Sequence, residues 1–349
     1  MRARAIVLGL AALAAASLAA TAAAAAPTRA MTATNDARAC TPLDKGGFAF
    51  ATGGGLVITR PDGSSVTLTS LDGLPETRVH AVAQQGDALW VGTEGGAARV
   101  TLDGTPRVAR TVGRSPVHAI AIDGATTYLG TWGAGVFRAA EGGTAERVPS
   151  AATGVRVAAL AIHEGALFAA FADGPLAKLD GGSLREIRGS APHGQSLASI
   201  PTDTGARLVY GALEGLYRFG PDAQPSQISS VDARGVAASG GALLVASYGA
   251  GVLVGSPRGA LRADTSLGRF VQGVGARGAA RCVATTDGAF VDAGRGTFTR
   301  VAMDGPPSND VTAMPRTGTA SSWARSITAP RSRGGAASSG SRPSPPPRP

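Results

Sequence analysis

With 349 residues, 44% of them apolar and 16% charged, the chain can fill one large folded unit or two average ones. Its 50 glycines and 22 prolines exclude a mainly helical body. The net charge of +9 does not point to nucleic acid, because residues 1–46 carry +3 and 315–349 carry +6, leaving 47–314 neutral and without the electrostatic footprint phosphate binding needs.

In chain order, Arg2 and Arg4 precede an Ala-rich apolar run that ends in small residues near Ala24–Ala26. This is the layout of a secretory signal peptide over 1–26, which places the mature protein in the periplasm or outside the cell. Residues 27–46 read as a linker, and no later run is long and apolar enough to span a bilayer once the signal is cleaved. Cys40 and Cys282, the two cysteines, meet oxidising conditions there. A disulfide between them would tie the start of the folded body to its end; the alternative is one core cysteine and one linker cysteine.

From residue 47 to 314 the chain repeats itself. Arg78–Val100, RVHAVAQQGDALWVGTEGGAARV, is echoed by Pro116–Arg138, PVHAIAIDGATTYLGTWGAGVFR, and more loosely by four further segments. Each is a short apolar stretch, a polar turn, a second stretch, a Gly-rich turn and a third stretch. The glycines before the third stretch, Gly55, Gly96, Gly135, Gly174, Gly215, Gly251 and Gly288, recur about every forty residues, which is one four-stranded antiparallel blade per repeat. The first stretch follows a V-x-small-φ rule: Val79-His80-Ala81-Val82, Val117-His118-Ala119-Ile120, Val157-Ala158-Ala159-Leu160, Leu197-Ala198-Ser199-Ile200, Ala233-Arg234-Gly235-Val236 and Val271-Gln272-Gly273-Val274. Strands that converge on an axis need a small side chain where they crowd and a large one beside it. These features predict an all-β fold, a β-propeller of seven four-stranded blades with disordered termini.

Val311-Thr312-Ala313-Met314 obeys the same rule and reads as a seventh inner strand, which would complete the blade begun by the second and third strands at 47–59 and so clasp the two ends. After Met314 the pattern stops. Residues 315–349 read as a disordered basic tail rich in Pro, Ser and Arg, or as the product of a frameshift.

The x positions, His80, His118, Ala158, Ala198, Arg234, Gln272 and Thr312, would line a polar channel rim. Of these His80, His118, Arg234, Gln272 and Thr312 are the candidate binding residues. Trp90 is expected between blades, and Trp132 either there or at a ligand. His163-Glu164 reads as a surface turn, and His193 in APHGQ has no partner visible in the sequence.

Leu74–Val100, LPETRVHAVAQQGDALWVGTEGGAARV, resembles the two-component regulator propeller repeat, matching it at Leu74, Pro75, Val79, Val82, Leu89, Trp90, Val91, Gly92, Thr93 and Gly96. The resemblance is moderate at Thr131–Arg138 and Gly215–Arg218 and loose over the rest of 47–314. It implies an extracytoplasmic sensing or binding propeller, in a family whose members often precede a membrane helix and a histidine kinase, and it carries no catalytic residue with it. Together with the residues, it predicts an exported, monomeric, non-enzymatic module that binds a protein, peptide or small ligand on one face, with no catalytic residue, cofactor or metal assigned. The alternative is a propeller-fold enzyme of lyase, lactonase or quinoprotein type, for which no paired carboxylates, sialidase box or repeated quinoprotein Trp motif is found.

Overall fold

The computed structural model describes residues 32–140, 144–219, 225–256, 261–303 and 305. Residues 1–26, read above as a signal peptide, Val311–Met314 with Thr312, and residues 315–349 lie outside them. Within them stand seven four-stranded antiparallel sheets, each built from four consecutive strands. The inner strands are Ala37–Pro42, Val79–Gln85, Val117–Asp123, Val157–His163, Gly194–Thr202, Ala233–Ser239 and Val271–Arg277, which define blades one to seven. Each inner strand packs against the next, and the seventh returns to the first.

The apolar side chains are distributed rather than pooled. Alternating residues of each second strand point to opposite faces, so Leu89 packs towards blade one and Trp90 towards blade three. The result is one apolar cluster at each of the seven blade interfaces. Fully buried Leu or Val side chains here contribute roughly 1.5–3 kcal/mol each, and a lone blade, with both faces open, would collect little of that. Trp90 is 1% exposed and donates its indole N–H to Gln85 Oε1 at 2.8 Å.

The small third position of the inner strand has the expected cause. A Cβ on Gly235 would stand 3.1 Å from the Gly273 Cα of the next blade, and one on Gly273 would collide with the Arg38 carbonyl of blade one. Gly55, Gly96, Gly135, Gly215, Gly251 and Gly288 begin the third strands with positive φ, which glycine adopts without strain. Gly174 does not, since the third strand of blade four starts at Ala177. A recurring hydroxyl stitches these hairpins: Thr52, Thr93, Thr131 and Thr285 each donate to the carbonyl of the following strand's first glycine at 2.7–2.8 Å.

Ring closure departs from the sequence expectation. Blade one has its own inner strand, Ala37–Pro42, inside the stretch read as a linker, so no strand from 311–314 is needed to complete it. Ala37-Arg38-Ala39-Cys40 places Ala where four of the other blades place Val, and Cys where all six place a large aliphatic, which weakens its apolar signal. The disulfide supplies the missing bulk. Cys40 is bonded to Cys282 of the second strand of blade seven, with a Cα–Cα distance of 6.2 Å, within the same cluster as Phe48, Phe50 and Ala284. Gln272 adds hydrogen bonds to Asp36 Oδ1 at 2.7 Å and to the Ala37 carbonyl at 3.1 Å, and Arg277 pairs with Asp44.

Candidate functional site

Each inner strand carries one extra residue relative to the second strand. Val79 and Ala81 pair with Thr93 and Gly92, which are adjacent, so His80 is a bulge. The same shift makes bulges of Arg38, His118, Ala158, Gln195, Arg234 and Gln272. A bulge breaks the strict alternation of side chains and re-aims the inserted one. Seven bulges at one level therefore form a ring of side chains around the axis.

A second ring comes from the hairpins between second and third strands. In all seven blades a hairpin N–H bonds the carbonyl just before the inner strand: Gly53 to Asp36, Glu94 to Arg78, Trp132 to Pro116, Ala172 to Arg156, Leu213 to His193, Tyr248 to Asp232 and Thr286 to Phe270, at 2.8–3.4 Å. These bonds hold the hairpin tips over the bulges and define one face of the ring as the mouth.

Two positions of the expected rim are corrected. In blade five the bulge is Gln195, because Gly194-Gln195-Ser196-Leu197 occupies the register that Leu197-Ala198-Ser199-Ile200 imitates three residues later; Ala198 pairs with Val209 further along the strand. In blade one the bulge is Arg38, which takes the place assigned to Thr312. His80, His118, Arg234 and Gln272 are the bulges of blades two, three, six and seven.

A continuous polar and π chain runs along the mouth over blades seven to four. Gln272 bonds Asp36, Asp36 holds Arg38 at 2.9 and 3.2 Å, and Arg38 Nη1 lies 3.1 Å from His80 Nδ1. A guanidinium can only donate, so Nδ1 accepts, the proton sits on Nε2, and Nε2 donates to Glu94 Oε2 at 2.6 Å. The His80 ring then stacks on His118 (centroids 3.9 Å, 17°), and His118 on Trp132 (4.6 Å, 19°). Arg156, tied to Asp173 at 3.2 Å, lies 5.7 Å from the Trp132 ring centroid. Burial lowers the pKa of both imidazoles, and His118, further disfavoured by His80, falls to about 4. The hydrogen bond from His80 lowers the Glu94 pKa. At neutral pH the centre of the chain is thus two neutral imidazoles beside an ionised carboxylate.

On blades six and seven the chemistry is aromatic. Asp232 grips Arg234 at 2.8–3.0 Å, Arg234 lies 4.8 Å from the Tyr248 ring centroid, and Tyr248 meets Phe270 at 5.0 Å. His193 of blade five pairs with Glu214 of the adjacent hairpin, a partner the sequence did not disclose. His163 bonds Ser199 Oγ at 2.9 Å, away from the mouth, in a turn where Glu164 has positive φ. Of the hairpin residues the sequence singled out Trp132 and not Glu94 or Tyr248; their shared signal is the position after the Thr or Ser that ends the second strand, as in Thr93-Glu94, Thr131-Trp132 and Ser247-Tyr248. A cavity of about 500 Å³ lies between blades two and three, lined by Val112, Val117, Leu129, Phe137, Arg110 and Arg114, apart from this chain of contacts.

No protein-family model matches the chain, and no curated protein matches it in sequence. Solved structures share its fold. One is described as the extracellular domain of a hybrid two component system, BT4673 from B. thetaiotaomicron, at 15% identity and a TM-score of 0.62, covering 76% of this chain and 40% of that one. PorZ, a surface component of the type-IX secretion system of Porphyromonas gingivalis, aligns at 16% identity and 0.61, covering 81% of this chain and 40% of its own. A catalytically inactive virginiamycin B lyase from Staphylococcus aureus aligns at 12% identity and 0.62, covering 76% and 97%. The chain thus spans about 40% of the sensor-type domain and nearly the whole of the lyase, and at these identities the likeness is one of fold.

Proposed function

We propose that this protein is an exported, non-enzymatic propeller, built from repeats of the two-component regulator type, that binds a protein, peptide or small ligand on its mouth face. One observation carries the reading. Among the described residues the exposed large apolar side chains are Leu71, Trp132, Val155, Leu213, Tyr248 and Phe270, and every one sits in a hairpin or connection of that face. Tyr248 and Phe270 are 44% and 48% exposed and touch each other, as aromatic anchors at recognition surfaces do. Export is supported by the disulfide and by the extracellular setting of the sensor-type neighbours; no described helix is long and apolar enough to cross a membrane. The test is affinity capture from an envelope extract by wild type, by Tyr248→Ser/Phe270→Ser and by Asp180→Lys on the opposite face. A partner kept by wild type and Asp180→Lys and lost by the aromatic variant supports the reading; equal loss or equal retention in all three refutes it.

The lyase-fold neighbour and the His80–Glu94 pair favour a second reading, an enzyme with its reacting groups at the mouth. It predicts turnover of a cyclic peptide lactone such as a streptogramin B by wild type and none by His80→Ala.

A further inference from the structure

We infer that the mouth over blades two and three is a binding site for one divalent transition-metal ion, held by His80, Glu94 and His118. This stands independently of what docks on the aromatic side of the face. The three residues come from three separate segments, the bulges of blades two and three and the hairpin of blade two, and one ligand atom of each lies within 4.8 Å of the others. Two imidazole nitrogens and a carboxylate oxygen are a set that suits Zn²⁺, Ni²⁺ or Cu²⁺ and not the hard, oxygen-seeking Mg²⁺ or Ca²⁺. Three protein ligands also leave a coordination position open towards the mouth.

The geometry states what the ion must change. Parallel rings 3.9 Å apart cannot both aim an in-plane lone pair at one ion, so His118 must turn out of the stack between His80 and Trp132. Metallation at His80 Nε2 moves the ring proton to Nδ1, which then confronts the donor Nη1 of Arg38. Arg38 has somewhere to go, since Asp36 already holds its Nε and Nη2. Arg38 is therefore a restraint on the site twice over, as a cation and as a misplaced donor. Metal-bound histidines usually find an acceptor on the second nitrogen, and removing Arg38 permits one in the form of water.

The experiment is calorimetric titration of the chelator-stripped full chain with Zn²⁺ at pH 7.5, with Mg²⁺ as the counter-probe. The expected result is one saturable Zn²⁺ per chain and no Mg²⁺ heat. His118→Ala and Glu94→Gln should each weaken binding at least roughly tenfold, and Arg38→Met should strengthen it. His193→Ala should leave it unchanged, because His193 and Glu214 lie on blade five. Cu²⁺ should quench the emission of Trp132, which stacks on His118, and Trp132→Phe should remove that quenching. Absence of saturable Zn²⁺ binding, indifference to Glu94→Gln (an exposed hairpin side chain whose change leaves folding intact), or weaker binding in Arg38→Met overturns the inference. A partner still captured by a protein that binds no Zn²⁺ overturns this inference and leaves the proposed function standing.

Discussion

Breaking the Cys40–Cys282 bond should open the ring at the seam between blades one and seven. Every blade is made of consecutive strands, so no strand is exchanged between the ends of the chain, and closure depends on one blade interface plus this cross-link. The bond spans 242 residues, and the loop-closure entropy of such a span corresponds to about 5 kcal/mol in the unfolded state. Total stabilities of roughly 5–15 kcal/mol make that a large share. Cys40 and Cys282 are 7% and 0% exposed, so alanine replacements bury no new polar group and take only the two sulfurs from the seam. Urea unfolding of the oxidised chain, the reduced chain and Cys40→Ala/Cys282→Ala should show the last two less stable by about 3–5 kcal/mol. Hydrogen exchange should rise first in blades one and seven. Either single alanine variant should cost about as much as the pair, since each abolishes the same bond. Coincident unfolding curves with and without the bond, or exchange that rises evenly around the ring, would refute the seam argument.

Other outcomes follow from the same contacts. Gly275→Ala should destabilise the same seam, since its Cβ would press on the Cys40 carbonyl and stand 2.8 Å from Cys282 Sγ; the equivalent change at Gly278, with nothing within 4 Å but positive φ, should cost only about 1 kcal/mol, as read by melting. Trp90→Ala empties the interface between blades two and three and should cost about 3–5 kcal/mol in urea unfolding. His118 has a folded pKa of about 4 against 6.5 unfolded, so the unfolded chain takes up the proton first. Stability should therefore fall as pH drops from 6.5 to 4, by about 1–2 kcal/mol after allowance for solvent screening, with burial, His80 and Arg38 opposing the charge and Glu94 favouring it. His118→Phe should flatten that part of the pH profile. Trp132→Ala should leave melting nearly unchanged and alter mouth binding, because the ring is 37% exposed.

Architecture and much of the rim were legible in the residues alone. A period near forty, the glycine that opens the third strand and the small third position of the inner strand are local patterns, written in full within each repeat. They determined the blades, the inner-strand positions of His80, His118, Arg234 and Gln272, and the burial of Trp90. What the sequence left open depends on residues far apart in the chain. Ala37-Arg38-Ala39-Cys40 lacks apolar bulk, and only its packing on Gly273, Gly275 and Cys282 makes it a strand. Gln195 outranks Ala198 because the second strand of blade five sets the register, and two small-residue windows three places apart look alike without it. Stacking of His80 on His118 and the tilted contact of Tyr248 with Phe270 arise between blades, across interfaces whose two sides are chosen by the curvature of the whole ring. Local periodicity tells a strand where to bend; only a closed circle decides which side chains meet at its mouth.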